Sequence, residues 1–148
     1  MTAIALTNKT QLEALLRRDV GRHLYALGDL DDFFWPHTTW WGWRDAHTQE
    51  IEAVVFLYCG LDVPTLIAQN AETAPLAALI TTLIQTPGAL PARFFAHLSP
   101  GIEANFAKTH RLEPEGLHHR MMLLDRARIQ ANSGHSDGEG VRGLSADD

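Results

Sequence analysis

One cysteine, Cys59, is all the sulfur cross-linking this 148-residue chain has, so an internal disulfide is excluded. Positive charge is also scarce: 12 Lys and Arg stand against 18 Asp and Glu, for a net charge of −6. They are scattered, and without a basic cluster the chain offers no nucleic-acid or anionic-membrane surface. The longest apolar run, residues 53–59, is far short of the roughly 20 residues that span a bilayer. The opening MTAIALTNKT has no basic segment and too short an apolar core for a signal peptide, so the expected location is the cytoplasm. The eight histidines contain no H-x-x-x-H and no paired Cys/His spacing, and adjacent His118 and His119 would point to opposite faces of a strand. No metal site is expected. Cys59 has no motif for an activating histidine and reads as a small buried hydrophobe.

What the chain does have is concentrated in one stretch. Residues 24–43, LYALGDLDDFFWPHTTWWGW, hold all four tryptophans, two of the six phenylalanines and three aspartates. Aromatic side chains bury more area than any others, so a packing centre is expected here. Val20, His23, Leu24, Leu27 and Leu30 recur at helical spacing, which predicts a helix that Gly28 weakens. Asp29 would cap a short new turn through Phe33, and Pro36 would end it. Thr38 to Arg44 is β-branched and aromatic enough for a strand, with Trp41 and Trp43 on one face.

Around this centre, Ala3 to Leu6 reads as a strand, and Thr10 with Glu13 as the capping box of a helix whose face is Leu12, Leu15 and Leu16. After a polar turn, Ile51 to Tyr58 alternates as a strand that begins half exposed and ends buried. Pro64 opens another, Thr65 to Gln69. Thr73 and Pro75 start a helix with Leu76, Leu79, Ile80 and Leu83 inward, closed by Pro87-Gly88. Ala92 to Leu98 is a strand, Ser99-Pro100 starts a short helix with Ile102 and Phe106 inward, and Leu117 to Asp125 is a last strand. Residues 128–148 have almost nothing apolar to bury and are expected to be a disordered tail, leaving one domain over 1–127. Gly138-Glu139-Gly140-Val141-Arg142-Gly143 matches G-x-G-x-x-G, but in that tail it lacks the strand and helix that give the pattern meaning.

The fold class is α/β (α+β), with the order β-α-α-β-β-β-α-β-α-β. That order resembles the GCN5-related N-acetyltransferase (GNAT) fold, a mixed, largely antiparallel central sheet flanked by helices. The segments LYALGDLDDFFWPHTTWW, VVFLYCGLDVPTLIA, LPARFFAHLSPG and HHRMMLLD resemble the N-terminal half of a bacterial GNAT subgroup, over roughly residues 12–125. In that subgroup a C-terminal half carries the acetyl-CoA site, so the resemblance implies a chain that stops before the catalytic part.

A GNAT holds the CoA pyrophosphate on backbone N–H groups at a helix N-terminus, in a loop of pattern Gln/Arg-x-x-Gly-x-Gly/Ala. Here the corresponding loop is Asn70, Ala71, Glu72, Thr73, without glycine, with an acidic side chain where the anion would sit and with Pro75 removing a donor. Glu72 is expected to satisfy the helix dipole itself. Gln85-x-x-Gly88 is a partial match, but it lies at a helix end. No cofactor is expected on this chain alone, and acetyl-CoA only if it is an autonomous N-acetyltransferase acting on an amine. The other reading is a non-catalytic domain that supports, or binds substrate for, an acetyltransferase half. The expected partner is then an acetyltransferase domain or a second copy in a homodimer. Asp29, Asp31 and Asp32 are candidates for binding an amine, and Trp35, His37 and Trp40 for a ligand or partner surface.

Overall fold

The computed structural model describes residues 2–70 and 72–116. Five strands form one sheet in chain order: β1 (Thr2–Ala5), β2 (Thr38–Arg44), β3 (Ile51–Tyr58), β4 (Thr65–Ala68) and β5 (Phe95–Leu98). The first four are antiparallel neighbours, whereas β5 runs parallel to β4. A parallel pair needs a crossover, and α3 (Thr73–Gln85) provides it. Helices α1 (Lys9–Leu16), α2 (Leu24–Gly28) and α4 (Glu103–Phe106) complete the described elements, in the expected order. The expected last strand, Leu117 to Asp125, lies outside the described residues, as does the tail from 128.

Strand β3 decides where the core sits. Its alternating side chains go to two different clusters, so both of its faces are covered and it reads as one apolar run. Ala53, Val55 and Leu57 pack with Leu66, Ala68 and the α3 residues Leu76, Leu79, Ile80 and Leu83, joined by Ile102 and Phe106 beside α4. Val54 and Phe56 pack on the other face with Leu12 and Leu16 of α1, Ala26 of α2, Leu30 and Trp40. Each such aliphatic side chain contributes at most about 1.5–3 kcal/mol of transfer free energy. Trp40 is 2% exposed, stacked on Phe56 with ring centroids 4.1 Å apart. Trp41 and Trp43 share the opposite face and lie half-buried against the α3 cluster. Gly42 between them leaves room for Leu6 and Ile51, since a Cβ there would meet Leu6 Cδ1 at 3.0 Å and Ile51 Cγ2 at 3.2 Å and push both side chains back by a few tenths of an ångström.

The local expectations fail where side chains bond to their own backbone. The N-cap of α1 is Asn8, whose Oδ1 accepts the Gln11 N–H at 3.0 Å, so the Thr10/Glu13 box is not formed. The long Val20-to-Leu30 helix is replaced by a 3₁₀ turn at Arg17–Asp19 and the five-residue α2. Asp19 is the cause: its Oδ1 accepts the Arg22 N–H at 3.1 Å and its carbonyl accepts those of Arg22 and His23. Val20 and Leu24 are therefore exposed. Asp29 is the C-cap of α2, and Asp31 is the residue that starts the next turn, accepting the Phe33 N–H at 2.9 Å. Pro36 lies inside the 3₁₀ turn Trp35–His37, near its start, where a missing N–H costs nothing. Strands β4 and β5 are shorter than expected, and α4 is a single turn.

Candidate functional site

The β4-to-α3 junction is held shut by side chains far apart in sequence. Ser99, nearly buried after β5, accepts the Asn70 N–H on Oγ at 3.0 Å and donates its hydroxyl to the Asn70 carbonyl at 3.2 Å. Its own N–H donates to the Ala68 carbonyl at 2.9 Å, which extends the β4–β5 pairing past the strand ends. The Asn70 side-chain amide donates to the Glu52 carbonyl at 2.7 Å and to the Glu72 carbonyl at 3.2 Å. Asn70 therefore ties the start of β3, the end of β4 and the entry to α3 together. Glu72 takes the N-cap position of α3, but its exposed side chain makes no capping bond. The turn is closed by Asn70 and Ser99, a correction to the self-capping expected of Glu72. Ala71 lies outside the described residues.

Beside this junction, on the sheet face that α1 covers, is a pocket of about 140 Å³. Leu15, Leu16 and Ile51 give it apolar walls, and Arg18, Asp19, His23, Glu52 and Asn70 give it polar ones. Glu52 owes its place to an irregularity in β3. Trp43 pairs with Ala53 and Arg44 with Ile51, so Glu52 has no residue opposite it. Such a bulge re-aims a side chain, and the Asn70 amide bond to the Glu52 carbonyl fixes it. The Glu52 Oε2 is buried without a hydrogen-bond partner among the described residues. Arg18 makes no ion pair among the described residues, while the neighbouring Asp19 is held by Arg22 at 3.2 Å. A second cavity, of about 10 Å³, adjoins the first and shares Leu16, His23 and Val54 with it.

Of the residues singled out in the sequence, none of Asp29, Asp31, Asp32, Trp35, His37 and Trp40 lines either cavity. The three aspartates are used separately. Asp29 is half-buried, and that burial raises its carboxyl above the usual range. Asp31 holds the Phe33 N–H, and exposed Asp32 is lowered by the hydrogen bond and charge of Lys9. Trp40 is a core residue, and its Nε1–H donates to Thr38 Oγ1 at 2.7 Å. Trp35 is half-buried and stacked on it at 6.1 Å, and exposed His37 stands edge-on to Tyr58 at 6.4 Å. Cys59 is exposed, contrary to expectation, because β3 ends at Tyr58 and releases the chain at its rim. No group of three or more His, Cys, Asp or Glu among the described residues is placed to hold a metal. Nor is any described helix long and apolar enough to cross a membrane.

Sequence reasoning missed Glu52, Arg18 and the Asn70–Ser99 pair. Glu52 did carry a signal, as a carboxylate opening an otherwise apolar strand. Asn70 and Ser99 carried none, since only the parallel pairing of β4 and β5 brings them together across 29 residues.

No family model and no curated protein matches the chain. Among solved structures, the crystal structure of a probable acetyltransferase matches at a TM-score of 0.53 with 13% identity, over 84% of this chain and 99% of that one. At that identity the likeness concerns the fold. The five-stranded, mostly antiparallel sheet with its flanking helices is an acetyltransferase fold.

Proposed function

We propose that this chain is a non-catalytic GNAT-like domain, a pseudoenzyme domain that supports, or binds substrate for, an acetyltransferase half. The observation that carries this reading is the β4-to-α3 junction. A pyrophosphate bound there would need free backbone N–H groups, close approach and an uncontested positive helix end. The Asn70 N–H is already spent on Ser99 Oγ, Pro75 has no N–H, no residue from Asn70 to Pro75 is glycine, and exposed Glu72 carries charge of the ligand's own sign. Each defect weakens acetyl-CoA, and together they leave the turn suited to structure alone. The test is calorimetric titration of the chain with acetyl-CoA. No saturable heat is expected at micromolar concentration. Saturable heat that is abolished by substitutions in residues 70–75 overturns the proposal.

A second reading has one observation in its favour. The probable acetyltransferase is matched over 99% of its own chain, so the likeness in fold extends to the whole of that chain. On that reading this chain is an autonomous N-acetyltransferase that binds acetyl-CoA by other contacts. Turnover of acetyl-CoA with an amine acceptor would establish it.

A further inference from the structure

The pocket beneath α1 is lined by two opposite charges, Glu52 and Arg18, that have no partner among the described residues, whereas its Asp19 is paired with Arg22, and the geometry points to a small zwitterion, a free amino acid, as its ligand. Three observations carry this. First, Glu52 is the bulged residue of β3 and its Oε2 is enclosed with no donor among the described residues. A buried acceptor left unpaired is costly, and native structures keep few of them without a use. Second, Arg18 also lines the pocket and makes no ion pair among the described residues, although Arg17 and Arg22 beside it are engaged by Glu13 and Asp19. An ammonium group satisfies Glu52 and a carboxylate satisfies Arg18, so one molecule with both groups answers both residues. Third, the size and walls fit. About 140 Å³ holds on the order of five waters, enough for a compact amino acid, and Leu15, Leu16 and Ile51 supply an apolar wall for its side chain.

This inference does not rest on acetyl transfer: the Asn70 side chain and the Glu52 carbonyl belong to the junction, but the Glu52 carboxylate and the Arg18 guanidinium take no part in the Asn70–Ser99 closure. The probes are L-valine, isobutylamine, which lacks the carboxylate, and isovalerate, which lacks the ammonium. Each is titrated into the whole chain to about 10 mM and followed by calorimetry and melting temperature. Valine is expected to bind and to raise the melting temperature, with both analogues at least about tenfold weaker. Glu52→Gln keeps the side-chain length and the bulge. It should weaken valine about tenfold while leaving isovalerate unchanged, and Arg18→Gln should weaken valine but not isobutylamine. Absence of any valine binding by the folded protein overturns the inference. Isobutylamine binding as tightly as valine and indifferent to Arg18→Gln also overturns it, since the site would then be one for amines only. If Glu52→Gln proves unfolded by circular dichroism, Arg18→Gln on the exposed rim decides the question with the same three probes.

Discussion

The two faces of the sheet are built to different standards. Against α3 lie eleven buried side chains, gathered by one 13-residue helix and by Ile102 and Phe106. Against α1 and α2 lie seven, gathered by helices of eight and five residues with a 3₁₀ turn between them. The α3 face is aliphatic, with Leu76, Leu79 and Ile80 wholly excluded from water. The α1/α2 face depends on the ring stack of Trp35, Trp40 and Phe56, and both cavities open on it. A long amphipathic helix can cover four turns of sheet with regular ridges. Two short helices interrupted by Asp19 cannot, and the uncovered part is where Glu52 and Arg18 have no partner among the described residues.

The largest difference between the two faces is expected at Trp40. If the α1/α2 face is organised by its ring stack, Trp40→Ala removes the centre of it and costs about 3–5 kcal/mol, read as a lowered midpoint in urea. Trp41→Ala, half-buried on the other face, should cost clearly less. Equal losses would mean that the tryptophans act as one cluster regardless of face. Next in size is Leu79→Ala, expected to cost about 2–5 kcal/mol, because the regular α3 face collapses poorly around a void. If it melted like the parent, that face would be the loose one.

Ser99→Ala comes third. It strips the Asn70 N–H and carbonyl of their partner at once, for about 1–3 kcal/mol of stability, and faster amide exchange at Asn70 would localise the effect to the junction. Unchanged exchange there would show that water replaces the hydroxyl. The smallest effect belongs to the β2–β3 turn, which serves both faces. Asp45 is buried and accepts the N–H groups of Thr48 and His47, each at 2.8 Å, and these bonds hold its carboxyl below the usual value of 3.8. A depressed carboxyl stabilises the fold fully above that value, and the contribution is lost as pH falls through the lower folded value. Asp45→Ala should therefore lower the melting temperature at pH 7 and flatten its fall in acid. A variant with the parent's acid profile would place the acid sensitivity elsewhere. Asp29 acts in the opposite sense, since its raised carboxyl favours the fold at low pH and loses that contribution as pH rises through the folded value.

Much of this was legible in the residues. The apolar repeat of Leu76, Leu79, Ile80 and Leu83 keeps one helical period, β3 is an apolar run of strand length, and β2 is β-branched and aromatic, and all three elements formed as read. The element order then followed, and with it the resemblance to an acetyltransferase fold. Errors arose where a polar side chain offered the backbone a competing bond. Asn8, Asp19 and Asp31 each did so, and their hydrogen bonds moved a cap, cut a helix and started a turn.

Periodicity determines which way a side chain faces, but not what stands opposite. That Trp40 would be buried and Cys59 exposed depended on which face α1 and α2 covered and on where β3 ended. The Glu52 bulge required the register of two strands, and the Asn70–Ser99 closure required a parallel pair joined across α3. Local sequence thus determined the elements, because their signals repeat within one turn or one strand. Only the tertiary structure decided the sites, because Arg18, Glu52, Asn70 and Ser99 meet through contacts that no local pattern encodes.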